Sequence, residues 1–358
     1  MLIAGFGSEV NAAELVQAYV QWKPSAPFGA GSALTLQAGR FMLNLGSRRL
    51  VAADDYRNTT NGYTGLRADV ALRGGWKSTL IYVLPQQRRP DDPASLRRNA
   101  VAADHAGFDL VLWGGLVSRA QSVATVEASF YHLGERDRPG RPTRDRSLDT
   151  GGLRVFRDPA PDRADFEIEG IVQRGSISAT LAAGSPRRRV AAWFLQADVG
   201  YTFAGGWKPR VSVDYDHASG DRAGGRLGRF DTLFGMRRAD LAPAGLYNAL
   251  GRTNLISPGI RIEMAPGRAT DVMASLRPLW LAERRDSFSS TGVRDPSGRA
   301  GSFAGKQIDG RIRHRLSKSL TLELDAVLLA KGRFLRAAPN AARGKLTRYL
   351  SLNATAAF

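Results

Sequence analysis

Apolar residues recur at every second position in segment after segment of this chain. Nowhere do they form the run of roughly 18 to 20 that a membrane-spanning helix needs. From Leu66 to Arg73, one side of a period-2 ribbon carries Leu66, Ala68, Val70 and Leu72, and the other Arg67, Asp69, Ala71 and Arg73. From Trp207 to Asp216, Val211, Val213 and Tyr215 oppose Lys208, Arg210, Ser212, Asp214 and Asp216. Gln307, Asp309, Arg311, Arg313 and Arg315 share a side, and beyond Ser317-Lys318 the alternation resumes with Leu320, Leu322, Leu324 and Ala326 against Thr321, Glu323 and Asp325. About fifteen strands are expected on this pattern. They start near Leu15, Leu34, Leu66, Trp76, Gly107, Ser122, Gly152, Asp165, Val190, Trp207, Gly259, Thr270, Lys306, Ser319 and Thr347.

One hairpin of this kind fits any antiparallel sheet with a wet face. The connections narrow the choice. Gly74-Gly75, Ala204-Gly205-Gly206, Ala265-Pro266-Gly267 and Ser317-Lys318 are tight, whereas the stretches near 46–65, 85–106, 133–151, 217–258, 283–305 and 331–346 are long. Short turns alternating with long loops predict an all-β fold, an antiparallel transmembrane β-barrel. A sandwich has no reason to sustain that alternation, and a propeller would show a four-strand repeat. In the closing TRYLSLNATAAF, Leu350, Leu352, Ala354, Ala356 and Phe358 share one face, and Tyr349, Ser351, Asn353 and Thr355 the other. A terminal aromatic in such a strand resembles the C-terminal assembly signal of bacterial outer-membrane proteins, which makes the barrel-assembly machinery an expected partner. An odd strand count leaves the two chain ends on opposite sides, while single-chain bacterial barrels have an even count. The expectation is therefore one outer-membrane β-barrel domain over residues 1–358, shortened at its N-terminus from about sixteen to eighteen strands. The opening MLIAGFGSEVNAAELVQAYVQW lacks the basic and apolar regions of a secretory signal.

Charge bears on what such a barrel passes. The 358 residues carry 51 Lys+Arg against 33 Asp+Glu, a net charge of +18, and only seven of the 51 are lysines, so 44 are arginines. Guanidinium binds carboxylate and phosphate in a planar, two-pronged way that an ammonium cannot. The arginines are spread along the chain with no compact stripe, which argues against nucleic-acid binding. With no cysteine there is no disulfide framework and no cysteine zinc site. His105, His132, His217 and His314 are scattered without ligand spacing, and a G-x-S-x-G nucleophile motif is absent. The adjacent Asp54 and Asp55 fall in a polar loop beside arginines and read as loop charge. No catalytic residue, metal or cofactor is expected.

Three pieces carry a resemblance to a known family: ELVQAYVQW at 14–22, AGRFMLNLGSRRLVAADDYRNTTNGYTGLR at 38–67, and WKPRVSVDYDHASGD at 207–221 with GRFDTLFG at 228–235. They resemble the alginate export family of outer-membrane barrels, and the likeness extends over nearly the whole chain. The resemblance implies a translocation path lined by arginines with acidic partners, suited to a polymer bearing one carboxylate per sugar. Here Arg67, Arg73, Arg210, Arg311, Arg313 and Arg315 lie on polar faces with Asp69, Asp214, Asp309, Glu323 and Asp325 beside them. Arg48, Arg49 and Arg57 belong to the loop above, at or just inside the mouth. Such a lumen attracts anions without trapping them. The expected function is passive passage of anions through the bacterial outer membrane, as export of an alginate-like polyuronate. The alternatives are a general anion-preferring porin for small carboxylates and, outside transport, an outer-membrane enzyme or adhesin. Expected partners are an anionic polysaccharide or small anions, and outer-membrane lipid and lipopolysaccharide, whose phosphates suit some loop arginines. A monomer is expected.

Overall fold

The computed structural model describes residues 15–53, 60–138, 141–222, 224–236, 240–241 and 250–357. Among them fifteen strands form one antiparallel sheet in chain order, each hydrogen-bonded to its sequence neighbours. They are β1 (Ala18–Trp22), β2 (Ala33–Met42), β3 (Gly62–Leu72), β4 (Trp76–Pro85), β5 (Leu110–Ala120), β6 (Thr125–Glu135), β7 (Ser147–Arg157) and β8 (Arg163–Ser178). β9 (Arg187–Thr202), β10 (Arg210–Ala218), β11 (Leu255–Gly267), β12 (Thr270–Trp280), β13 (Phe303–Arg315), β14 (Leu320–Lys331) and β15 (Leu346–Ala356) complete it. Two one-turn helices, α1 (Pro93–Arg97) and α2 (Arg333–Ala337), lie in loops. No helix among the described residues is long and apolar enough to cross a membrane.

Every expected strand is present, with its start displaced by a few residues at most. Trp207 and Lys208, read from the alternation as strand, sit in the turn before β10, where Lys208 has φ +45°. From β3 onward short turns follow the odd strands and longer connections the even ones, so each odd–even hairpin closes at the same edge of the sheet. A meander of this kind needs only local pairing, and period-2 patterning fixes its register, because a slip of one residue would exchange the two faces.

The chain forms two compact units. The first comprises residues 1–153, 173–190 and 232–236, the second residues 154–172, 191–231 and 237–358. Burial is inverted in both relative to a water-soluble sheet. In the first unit Leu66 and Leu80 are 59% and 56% exposed. Across the strand Glu127 is buried, and Arg67 and Asp69 are half-buried. In the second unit Val213 and Ile308 are 57% and 55% exposed, whereas Asp165, Asp216, Arg277, Gln307 and Asp325 are buried. Water would penalise this arrangement. Hydrocarbon requires it, because apolar side chains must face lipid and charges must turn away.

Aromatic residues mark both ends of the exposed face. At the long-loop end stand Tyr82 and Trp113 in the first unit, and Trp193, Tyr215 and Trp280 in the second. At the short-turn end stand Trp76 in the first unit and Tyr201 and Phe203 in the second. Such rings favour the boundary between hydrocarbon and headgroups.

Candidate functional site on the polar face

The polar face of the second unit is a charged ladder. Register places Arg210 beside Glu263, Ser212 beside Arg261, and Asp216 beside Ser257 on β10 and β11. On β12 and β13 it places Ser275 beside Asp309 and Arg277 beside Gln307. On β13 and β14, Arg311 faces Asp325, Arg313 faces Glu323 and Arg315 faces Thr321. β15 adds Ser351 and Asn353 opposite Asp325 and Glu323.

The expected arginines divide into those that are satisfied and those that are not. Arg210 is gripped by three carboxylates: Nη2 lies 2.5 Å from Asp165 and also bonds Asp198, and Nη1 lies 3.1 Å from Glu263. Nη1 also donates to Ser212 Oγ at 3.0 Å. Its guanidinium lies over Gly200, where a Cβ would come within 2.5 Å of Nη2, so a larger residue would push the guanidinium aside. Arg313 donates to Glu323 at 2.6 Å. Arg311 is half-buried and not without a partner. Arg315, at the turn end, is exposed and forms no ion pair among the described residues.

In the first unit Arg67 Nη2 donates to Asp69 Oδ1 at 3.0 Å, and Thr79 Oγ1 donates to the same oxygen at 2.6 Å. Arg73 is exposed in the turn before β4. The loop carrying Arg48 and Arg49 does not stand free above the sheet. Leu43, Leu45, Leu50, Val51 and Ala52 are buried. Ala52 N donates to Phe234 O at 3.1 Å, Phe234 N to Leu50 O at 2.9 Å, and Met236 N to Arg48 O at 2.9 Å. A Cβ on Gly46 would come within 2.7 Å of Glu127, so this loop folds back onto the polar face. Arg49 is consequently buried and not without a partner, and Arg48 half-buried. Arg57, Asp54, Asp55 and Phe358 lie outside the described residues.

A second inward fold centres on an arginine outside the sequence-based set. Arg277 is fully buried, 3.1 Å from Asp214 and 3.4 Å from Asp216, and donates to Ser257 Oγ at 3.2 Å. It reaches Asp214 across Gly259, where a Cβ would sit 2.7 Å from both carboxylate oxygens. Its Nη2 donates to the Asp240 carbonyl at 3.0 Å, as does Arg261 at 2.6 Å, while Gln307 donates to the Leu241 carbonyl at 3.2 Å. The Asp240 carboxylate in turn takes Arg252 at 2.7 Å. Residues 240 and 241 of the β10–β11 loop are thus tied down on the polar face. Asp309 accepts from Ser275 Oγ at 2.8 Å and Gln307 at 2.9 Å, and Asp325 from Ser351 Oγ at 3.3 Å. The signal for Arg277 was available in the sequence, since it holds the polar phase of its strand and a mid-strand glycine stands on the neighbouring one.

The loops beyond β12 and β14 contain further arginines that strand alternation does not single out. Phe288, Phe334, Leu335 and Leu281 pack these loops into one apolar cluster. Around it Arg284, Arg285, Arg294, Arg299, Arg333 and Arg336 are exposed and make no ion pair among the described residues. Arg294 and Arg333 donate to the carbonyls of Arg285 and Arg299, which leaves their charge uncompensated. No group of three or more His, Asp or Glu among the described residues is placed to hold a metal ion.

This face and its apolar reverse match known outer-membrane channels in fold. The chain is similar to Pseudomonas aeruginosa OccK2 (OpdF) in complex with glucuronate, with a TM-score of 0.55, 11% identity, and coverage of 92% of this chain and 79% of that one. It is similar to Acinetobacter baumannii OccAB1, with a TM-score of 0.56, 11% identity, and 90% and 73% coverage. For P. aeruginosa OccK11 (OpdR) the values are 0.53, 14%, 90% and 75%. A search of curated proteins finds no match. At these identities the structural likeness establishes the transmembrane β-barrel fold. The alginate export model matches residues 7–348, nearly the whole chain. An apolar exposed face, a polar buried one, inward-folded loops and that match together make this chain an outer-membrane β-barrel of the alginate export family.

Proposed function

We propose that this outer-membrane channel passes anions in preference to cations, and that its physiological substrate is an alginate-like polyuronate. The carrying observation is the distribution of uncompensated guanidinium groups in the second unit. Along the polar face Arg210, Arg277 and Arg313 are matched by carboxylates, whereas Arg315 at the turn end and six exposed arginines at the loop end are not. Positive charge at the two ends draws a carboxylate in, and matched charge between them keeps it from binding so tightly that it stalls. The glucuronate named with OccK2 is a uronic acid, the monomer chemistry of such a polymer, and is consistent with this reading.

In planar bilayers under a potassium chloride gradient, reversal potentials should report chloride preference. Arg313→Gln combined with Arg315→Gln should roughly halve the chloride-to-potassium permeability ratio while heat-modifiable folding is retained. Cation preference in the unmodified protein would refute anion passage. Oligouronates separate the two transport readings. A polyuronate path predicts current block at lower concentration as the chain lengthens, because each added sugar adds a carboxylate contact. Block that does not depend on length would favour a porin for small carboxylates.

A further inference from the structure

A depression of about 590 Å³ opens in the second unit where the exposed apolar face meets the loop end. Its apolar wall is Trp193, His217 and Ile256, and its polar rim Arg222, Arg226 and Glu283. Trp193 is 41% exposed and packs on His217 with ring centroids 4.4 Å apart. Both rings occupy the apolar phase of their strands, alongside Val199 and Val213. The depression is therefore half in the lipid-facing surface and half among loop charges.

The rim is held in place. Ser219 Oγ accepts from Trp193 N at 2.8 Å, and Ala191 N donates to Leu227 O at 3.0 Å, which clamps the start of the β10–β11 loop along β9. Asp221 Oδ1 accepts from Gly228 N at 3.2 Å, Asp221 N donates to Asp286 at 2.9 Å, and Arg229 pairs with Asp286 at 2.8 Å. Between these ties the loop carries Arg222 and Arg226 outward. Glu283 takes Arg222 through Nε at 2.5 Å, so both Nη groups of that 83% exposed side chain point to the outside. Arg226 is exposed and has no ion pair among the described residues.

We infer that this depression is a binding site for the phosphorylated headgroup of an outer-leaflet glycolipid, with phosphate on Arg222 and Arg226 and sugar or acyl chain on Trp193 and Ile256. Two guanidinium groups with free Nη donors suit a phosphate monoester, which accepts paired hydrogen bonds. An aromatic ring at the membrane boundary suits the amphiphilic part of the same molecule. A free phosphate would use the arginines and leave the aromatic wall idle. Long loops of outer-membrane barrels face outward, which puts the site in the leaflet where such glycolipids reside.

Native mass spectrometry of the detergent-purified protein, titrated with bisphosphorylated lipid A or its dephosphorylated form, tests this. The bisphosphorylated lipid should bind at least about tenfold more tightly. Arg222→Gln with Arg226→Gln should remove that difference, and Trp193→Ala should weaken both lipids. Inorganic pyrophosphate at the same concentration should not compete. Unchanged lipid binding by the double variant overturns the site, and full competition by pyrophosphate overturns the lipid as its occupant. Heat modifiability confirms that the variants are folded. Anion selectivity, which the transport reading assigns to Arg315 and to the arginines of the loops beyond β12 and β14, should be unaltered in them, so the inference and the transport reading stand or fall separately.

Discussion

Replacing Ile308 with arginine is expected to destabilise the barrel by about 2–4 kcal/mol, the cost of a cation on the lipid-facing surface near the bilayer midplane. Ile308 lies close to the middle of β13, is 55% exposed, and stands in a cross-strand row with Leu276 and Leu328, both also exposed. His314→Arg on the same face provides the control. His314 sits one residue from the turn end of the same strand, where the penalty falls to about 0–1 kcal/mol because the guanidinium reaches water. Denaturant titration of refolded protein in lipid vesicles measures both. Equal costs at the two positions would mean that this face does not contact hydrocarbon.

The second large effect is expected at Arg277. Arg277→Met removes the cation from between Asp214 and Asp216 and should cost about 3–5 kcal/mol, the usual penalty for leaving a buried charge uncompensated. The loss should be partly recovered in Arg277→Met with Asp214→Asn, because the second change removes one stranded carboxylate. The same variant deprives the Asp240 carbonyl of one of its two guanidinium donors. The loop should then be held less firmly, and single-channel conductance should fluctuate more between levels. Full stability of the single variant would show that the aspartates find other partners and that Arg277 is not the anchor.

How far the sequence spoke can be judged at particular residues. Arg67 pairs with Asp69, and Arg313 with Glu323, on the polar faces that alternation marked, because a two-residue repeat puts Arg67 and Asp69 on one face and cross-strand register puts Arg313 beside Glu323. Arg210 was legible as a polar-face cation. That Asp165, from β8, is one of its three partners was not, since alternation within a strand says nothing about how far a long side chain reaches across others. Arg49 shows what a reading of charge leaves out. Its sequence reads as a charged loop at or just inside a mouth, and the apolar neighbours Leu45, Leu50 and Val51 hold the loop on the sheet and bury Arg49 with them. Hydrophobic residues in a loop are the signal that it folds back, and a reading centred on charge passes over them.

The sequence by itself determined the strands, their two faces, the order of short and long connections and the chemical character of each surface. These follow from local geometry: side chains alternate at every residue, and hydrocarbon tolerates no charge on the face it wets. The tertiary structure decided which cations remain uncompensated. Pairing depends on which carboxylates lie within reach after long loops have folded onto the polar face, and that contact joins residues far apart in the chain, as Asp240 joins Arg277 and Arg252. It also decided where apolar wall and loop charge meet at Trp193 and Arg222, an arrangement that no periodicity encodes because it arises where a strand ends and its loop turns back along a neighbour.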